Sequence, residues 1–213
     1  MGDFVTLDEL NGVIRLYFCQ DIPVEEKIQA LNNLRKLLNE LSPFTQEPVD
    51  CVLWVRAEKV VANNYNPNVM APGEKRLLSQ SLKKDGFTQP IVVSKEKDHY
   101  LVVDGFHRQL LSREHDEIRK RLKGWLPVTC INPERSGLAT RIAATIRHNR
   151  ARGKHQITST SDIVRELSQL GWSDKRIGIE LGMDPDEVLR LKQITGLAEL
   201  FQEEMFSTAW TVR

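Results

Sequence analysis

The chain has 213 residues, 40% apolar and 28% charged, and its 30 basic and 29 acidic residues leave a net charge of +1. That composition can bury a core, which excludes wholesale disorder, and it is too balanced for a polycation, so any nucleic-acid contact must come from a local patch. No apolar run approaches the ~18–20 residues that cross a bilayer.

Three cysteines, Cys19, Cys51 and Cys130, lie far apart with no CxxC pair. They argue against a disulfide framework and a zinc site, and for the reduced thiols of a cytoplasmic protein. The first residues lack the basic and apolar regions of a secretory signal. Met1-Gly2-Asp3-Phe4-Val5-Thr6 fits the loose myristoylation pattern. Without a polybasic neighbour one acyl chain binds membranes only marginally, so no membrane partner is expected.

Residues 6–42 read as two helices. Leu7, Leu10, Ile14 and Leu16-Tyr17 form a rough stripe. Pro23-Val24-Glu25-Glu26 then opens a second helix with proline and acids in its first turn, and Ile28, Leu31, Leu34, Leu37-Leu38 and Leu41 line its face until Ser42-Pro43 stops it. The expectation for residues 1–48 is a helical hairpin packed on the rest of the chain or on a second copy, which leaves a homodimer open.

The middle, residues 49–135, changes period. Cys51-Val52-Leu53-Trp54-Val55 is a strand candidate, and Asn63 to Asn68 a turn-rich loop. Glu74 to Asp85 reads as a helix ending at Gly86. Pro90 to Ser94 and Tyr100 to Asp104 read as paired strands joined by a charged turn, followed by a helix from about His107 to Lys120 and a last strand, Trp125 to Ile131. From Leu138 the chain is helical: Leu138 to about Arg150, a helix capped by Ser161, and Ser173 to Leu181 and Asp186 to Thr195 around a tight turn. The fold expected is α+β, a small mixed-sheet domain followed by an all-α domain over residues 136–213.

The chemistry-bearing segment is Gly86-Phe87-Thr88-Gln89-Pro90-Ile91-Val92-Val93 followed by Leu101-Val102-Val103-Asp104-Gly105-Phe106-His107-Arg108. A strand ending in Asp-Gly and running into a helix that opens with His-Arg suits an anion: amides at the helix start point outward, Gly105 permits close approach, and His107 and Arg108 add donors. Asp104 suits a divalent metal or a hydroxyl. The plain alternative is a helix start beside a surface arginine.

These boxes resemble the ParB/sulfiredoxin-like superfamily. ParB N-terminal domains carry a helix, a G-x-x-Q-P-I-V-V strand and a strand ending in G-E-R-R that grips a nucleotide triphosphate; Gly86–Val93 and Gly105–Arg108 match in order and spacing. Asn66-Pro67-Asn68 lies where ParB proteins have a proline-containing box, and His148-Asn149-Arg150-Ala151-Arg152 resembles their E-N-x-x-R box. The resemblance implies a nucleotide site of Thr88, Gln89, Gly105, Phe106, His107 and Arg108, with Asn149 and Arg152 folding back onto it.

The departures narrow the reading. Sulfiredoxins have a catalytic cysteine where Phe106 stands, so sulfinic acid reduction is excluded here. The acid that ParB proteins use in CTP hydrolysis is His148. Asp104-Gly105-Phe106-His107-Arg108 is most similar to the D-G-x-H-R box of free serine kinases, although Asn63 to Asn68 lacks the acid those enzymes carry. The same box and the Asn-Tyr-Asn-Pro-Asn loop also resemble ParB-like coactivators of the immunoglobulin-binding regulator B type, a group of transcriptional coactivators.

Leu138 to Ser161 contains no acid but holds Arg141, Arg147, His148, Arg150, Arg152, Lys154 and His155. This run is a solvated face, a closure over nucleotide or a nucleic-acid contact. Taking Asp174 as the first position of a helix-turn-helix puts a small residue at Gly178, the turn at Gly182 and apolar contacts at Ile177, Leu181, Val188 and Leu191. Asp184, Asp186 and Glu187 oppose DNA at the second helix, leaving Lys175, Arg176, Arg190 and Lys192 to compensate. A purely structural three-helix bundle is the alternative.

The expected function is therefore a nucleotide-binding regulator or coactivator acting on DNA or a transcription complex, with CTP, ATP or ADP and Mg²⁺ as cofactors. The competing expectation is an enzyme, a phosphotransferase of the free-serine-kinase or protein-kinase type. In it Asp104 takes the metal or hydroxyl, and His107 works beside Arg108 on the phosphates.

Overall fold

The computed structural model describes residues 5–63, 70–132, 138–150 and 157–202. Its β-branched runs make a five-stranded sheet of β1 (Leu53–Arg56), β2 (Val60–Val61), β3 (Ile91–Lys95), β4 (Tyr100–Asp104) and β5 (Trp125–Cys130), in the order β1-β5-β3-β4-β2. β1 pairs antiparallel with β5, β5 parallel with β3, β3 antiparallel with β4, and β4 parallel with β2. Val60, Ile91, Val93, Val102 and Val128 are fully buried on this sheet, each worth roughly 1.5–3 kcal/mol.

Pro127 sits in β5, an inner strand, where a missing N–H would ordinarily break a ladder. Its partner across β1 is Trp54, and the β5–β3 pairing begins one residue later at Ile91↔Val128. Proline therefore occupies a position where no ladder bond is required of it.

Around the sheet lie α3 (Pro72–Lys84), α4 (Phe106–Glu114) and α5 (Asp116–Arg121), packed through Leu82, Leu111 and Ile118. The single helix expected from His107 to Lys120 is two helices, because His115 is extended (φ −96°, ψ 111°) and its Nε2 meets Ser79 Oγ on α3 at 3.0 Å. β2 was not expected.

At the N-terminus, α1 (Leu7–Phe18) is held by a capping box in which Thr6 N–H donates to Glu9 and Glu9 N–H to Thr6 Oγ1. None of its residues is buried. Both helices expected over residues 6–42 are present. α2 (Val24–Leu41) docks on β1 through buried Asn32, whereas Leu7, Val13 and Leu16 of α1 are exposed.

A second core belongs to α6 (Leu138–Arg150), α7 (Ile157–Gln169), α8 (Asp174–Leu181) and α9 (Pro185–Gln202), with Ile142, Val164, Leu167 and Ile177 at its centre. Ile177, Leu181, Val188 and Leu191 are all buried as the helix-turn-helix spacing required. Gly182 is left-handed (φ +63°) and ends α8, and Gly178 lies so close to the turn that a Cβ would meet the Met183 carbonyl oxygen at 2.8 Å. Ser161 is not an N-cap. α7 starts a turn earlier at Ile157, which buries Ser161 inside the helix. Among the described residues no helix is long and apolar enough to cross a membrane.

Candidate functional site

β4 carries its chain inward to Asp104, Gly105 turns it at φ +91°, and α4 begins at Phe106. The left-handed backbone at residue 105 favours glycine, and a Cβ there would stand 2.9 Å from Arg108 Nη2 and push the guanidinium aside. Arg108 gathers the predicted residues. Its Nη1 donates to Gln89 Oε1 at 3.1 Å, and its Nη2 to the Pro90 carbonyl at 3.2 Å and to Asp104 Oδ2 at 3.5 Å. The Asp104 carboxylate is nearly enclosed, its side chain 5% exposed, and Arg108 is 13% exposed.

The first turn of α4 has no acid and Gly105 gives it no side-chain cap, while His107 and Arg108 stand in it. The Arg108 cation at a helix N-terminus opposes the positive end of the dipole, an arrangement that an anion relieves. Phe106 packs on the sheet core and meets the His107 ring edge-on at 5.2 Å. Burial, and then Lys75, push the His107 pKa below its ordinary 6.5, with Glu74 opposing them. Its imidazole is therefore neutral at pH 7. Gln89 and Thr88 are both exposed in the loop before β3, and Gln89 is the one tied to Arg108.

Sequence reasoning missed Asn63. It is buried at the exit of β2, where its Nδ2 donates to the Val102 carbonyl at 2.6 Å and reaches Thr145 Oγ1 on α6 at 3.5 Å. Its Oδ1 is buried and finds no partner among the described residues. This amide brings α6 to the strand that leads into Asp104. Contacts across 82 residues leave no local signal. The loop box at Asn66, Pro67 and Asn68 lies outside the described residues, as do Arg152 and Lys154 and the side chains of His148, Asn149 and Arg150.

The predicted DNA-facing residues divide. Arg147 is half-buried and pairs with Glu180 on α8, so its charge braces two helices. Arg176 stacks on Trp172 with its guanidinium carbon 4.1 Å from the ring, and Lys192 pairs with Asp174. Lys175 and Arg190 are exposed. No group of three or more His, Cys, Asp or Glu able to hold a metal occurs among the described residues, and the Asp104 carboxylate is drawn to Arg108.

The uncharacterized protein YbdM of Escherichia coli (strain K12) is 56% identical over 197 residues, covering 92% of this chain and 93% of that protein. The chain belongs to the YbdM family. Residues 155–203 match the family model of the IbrB-like C-terminal HTH domain, so the helix-turn-helix of this YbdM relative is shown by family as well as by fold. Among solved structures the chain is similar to two of C-terminally truncated ParB, the chromosome-partitioning protein of Caulobacter crescentus. The one complexed with CTP-γ-S is 15% identical, covers 71% of this chain and 87% of that chain, and has a TM-score of 0.38. The one complexed to the centromeric parS site is 16% identical, covers 70% and 76%, and has a TM-score of 0.46.

Proposed function

We propose that the protein is a nucleotide-responsive, DNA-associated regulator, with the Asp104–Arg108 turn holding the phosphates and the helix-turn-helix meeting DNA or a transcription complex. The observation that carries the reading is the Arg108 fork under a left-handed Gly105 at the start of α4. Arg108 is held in place by Gln89, Pro90 and Asp104, so little rotamer entropy is lost when it adds a contact to an anion. The uncapped first turn adds backbone donors, and the IbrB-like domain supports the DNA-facing half.

CTP, ATP and ADP are the nucleotides implied by the sequence boxes. Asp104 offers one carboxylate, which fits a Mg²⁺ ion carried in by the phosphates rather than a cage built by the protein. Such an ion neutralises phosphate charge. Asp104 would face it, Arg108 would hold the phosphate oxygens, and Gln89 would keep Arg108 in register.

A thermal-shift panel of CTP, ATP, ADP and inorganic phosphate, with and without Mg²⁺, tests this. Binding at a hundredfold excess over Kd stabilises by about 2.7 kcal/mol. No shift with any member contradicts the reading.

One observation favours phosphoryl transfer as a second reading: His107 is neutral at pH 7 and stands beside the anion turn, as a general base must. Incubation with γ-labelled ATP and serine or protein acceptors, compared with Asp104→Ala and His107→Gln, tests it. Label transfer lost in both variants supports an enzyme, and no transfer leaves the regulator.

A further inference from the structure

The two half-buried cysteines occupy one place in the fold. β1 and β5 pair with Leu53 opposite Val128; Cys51 lies two residues before that pair on one chain segment and Cys130 two residues beyond it on the other. The two thiols are close enough to act on one another electrostatically, Cys51 opposing ionisation of Cys130, and a disulfide would need their Cα atoms within roughly 4.4–6.8 Å. The 3-10 turn Pro48–Asp50 that leads into β1 folds back against β5, since Thr129 Oγ1 donates to the Pro48 carbonyl. Both cysteines line the same cleft of about 530 Å³, together with Asn39, Pro48 and Ile131. Both are free thiols, whereas Cys19 is exposed on the far side of α2 in sequence.

We propose that Cys51 and Cys130 are a redox-modified pair, joined reversibly by a disulfide when the protein meets a hydroperoxide. The Cys51 thiolate attacks the peroxide: an S–O bond forms, the O–O bond breaks, and the departing oxygen takes a proton and leaves as water or an alcohol. The Cys130 sulfur then attacks the sulfenic sulfur of Cys51. The S–S bond forms, the S–O bond breaks, and the hydroxyl leaves as water with the thiol proton. Two electrons pass from the two sulfurs to the peroxide. A dithiol reductant reverses the bond by exchange.

The order of attack follows from the surroundings. Burial pushes both thiols up; around Cys51, Lys36 and Arg35 oppose this and Asp50 adds to it, and around Cys130, Lys95 and Lys36 oppose it and Cys51 adds to it, with Cys130 the more enclosed of the two. The first step is slow at neutral pH and faster at pH 8. The second is fast because its partner is already in place.

The bond would tie the segment entering β1 to the inner strand of the sheet. It also reaches α2, because Asn39 Nδ2 donates to Asp50 Oδ2 at 3.0 Å beside the cleft.

The test is thiol counting and peptide mapping of the full chain after treatment with hydrogen peroxide at pH 8. The expected product is a monomer that retains one titratable thiol, yields a non-reduced peptide joining Cys51 to Cys130, unfolds at higher temperature and reverts with dithiothreitol. Cys19→Ser should still form the link. Cys51→Ser and Cys130→Ala should each abolish it. A wild-type product linked through Cys19, or one in which Cys51 and Cys130 are over-oxidised without being joined, overturns the proposal.

Discussion

Asn32 of α2 holds both backbone groups of Trp54 on the edge strand β1: its Nδ2 donates to the Trp54 carbonyl at 2.7 Å and its Oδ1 accepts from the Trp54 N–H at 2.9 Å. The side-chain amide thus stands in for a missing neighbouring strand. An open edge is a template for unwanted pairing, and α2 closes it with a buried polar residue. Asn32→Ala leaves two strand groups without partners. It should cost about 1–3 kcal/mol in urea unfolding, with an unchanged m-value. Stability equal to wild type would mean that water replaces the amide.

Gly178 gives a second stability prediction. Alanine ordinarily improves a helix interior by roughly 0.5–1 kcal/mol over glycine. Here its Cβ would press on the Met183 carbonyl at 2.8 Å, which the turn cannot yield without moving Gly182. Gly178→Ala should therefore lose about 1–3 kcal/mol, measured by thermal unfolding. A gain would show that the turn has slack.

The helix-turn-helix was legible because its determinants are local: Gly178, Gly182 and four apolar residues at fixed spacing in one short stretch. The Asp104–Arg108 turn was legible for the same reason, as were β3, β4 and β5 from their β-branched runs. β2 was not, since Val60–Val61 is too short to carry a period and owes its strand to pairing with Tyr100 and Leu101. The break at His115 has neither glycine nor proline and depends on Ser79. The ties Asn32–Trp54, Asn63–Val102 and Arg147–Glu180 join residues far apart in sequence, where composition says nothing. Arg147, expected as a nucleic-acid contact, pairs with Glu180.

The lowered pKa of His107 sets a pH dependence. Burial keeps the native imidazole neutral, so below 6.5 the unfolded chain binds more protons than the native one. Stability from this group is complete above pH 6.5 and is lost as pH falls from 6.5 through the lowered value. The His107 resonances in an NMR titration should have a midpoint below 6.5, and His107→Gln should remove this part of the acid sensitivity. Bound phosphate should raise that midpoint, so anion affinity grows as pH falls through the same window. A midpoint at or above 6.5 contradicts the enclosure of the ring.

DNA association should rest on exposed cations rather than on those already engaged. Lys175→Ala with Arg190→Ala should weaken retention on all sequences alike and flatten the slope of log affinity against log salt by about 2, near 0.9 for each lost contact. Arg147→Ala should instead lower the melting temperature and leave the slope unchanged. Retention that ignores salt would contradict a phosphate-facing helix-turn-helix.

The claim that the Arg108 fork is an anion site is tested most directly by calorimetric titration of wild type and Arg108→Lys with the nucleotide giving the largest thermal shift. Lysine is the informative replacement. Arg108→Ala would strand the buried Asp104 carboxylate and cost about 3–5 kcal/mol of fold stability. Lysine keeps the charge but loses the fork. The expected result is saturable binding by wild type and an affinity roughly tenfold weaker in Arg108→Lys, about 1.4 kcal/mol, with both proteins folded. Equal affinities in the two proteins would mean that Arg108 only braces Gln89, Pro90 and Asp104, and that the phosphates bind elsewhere.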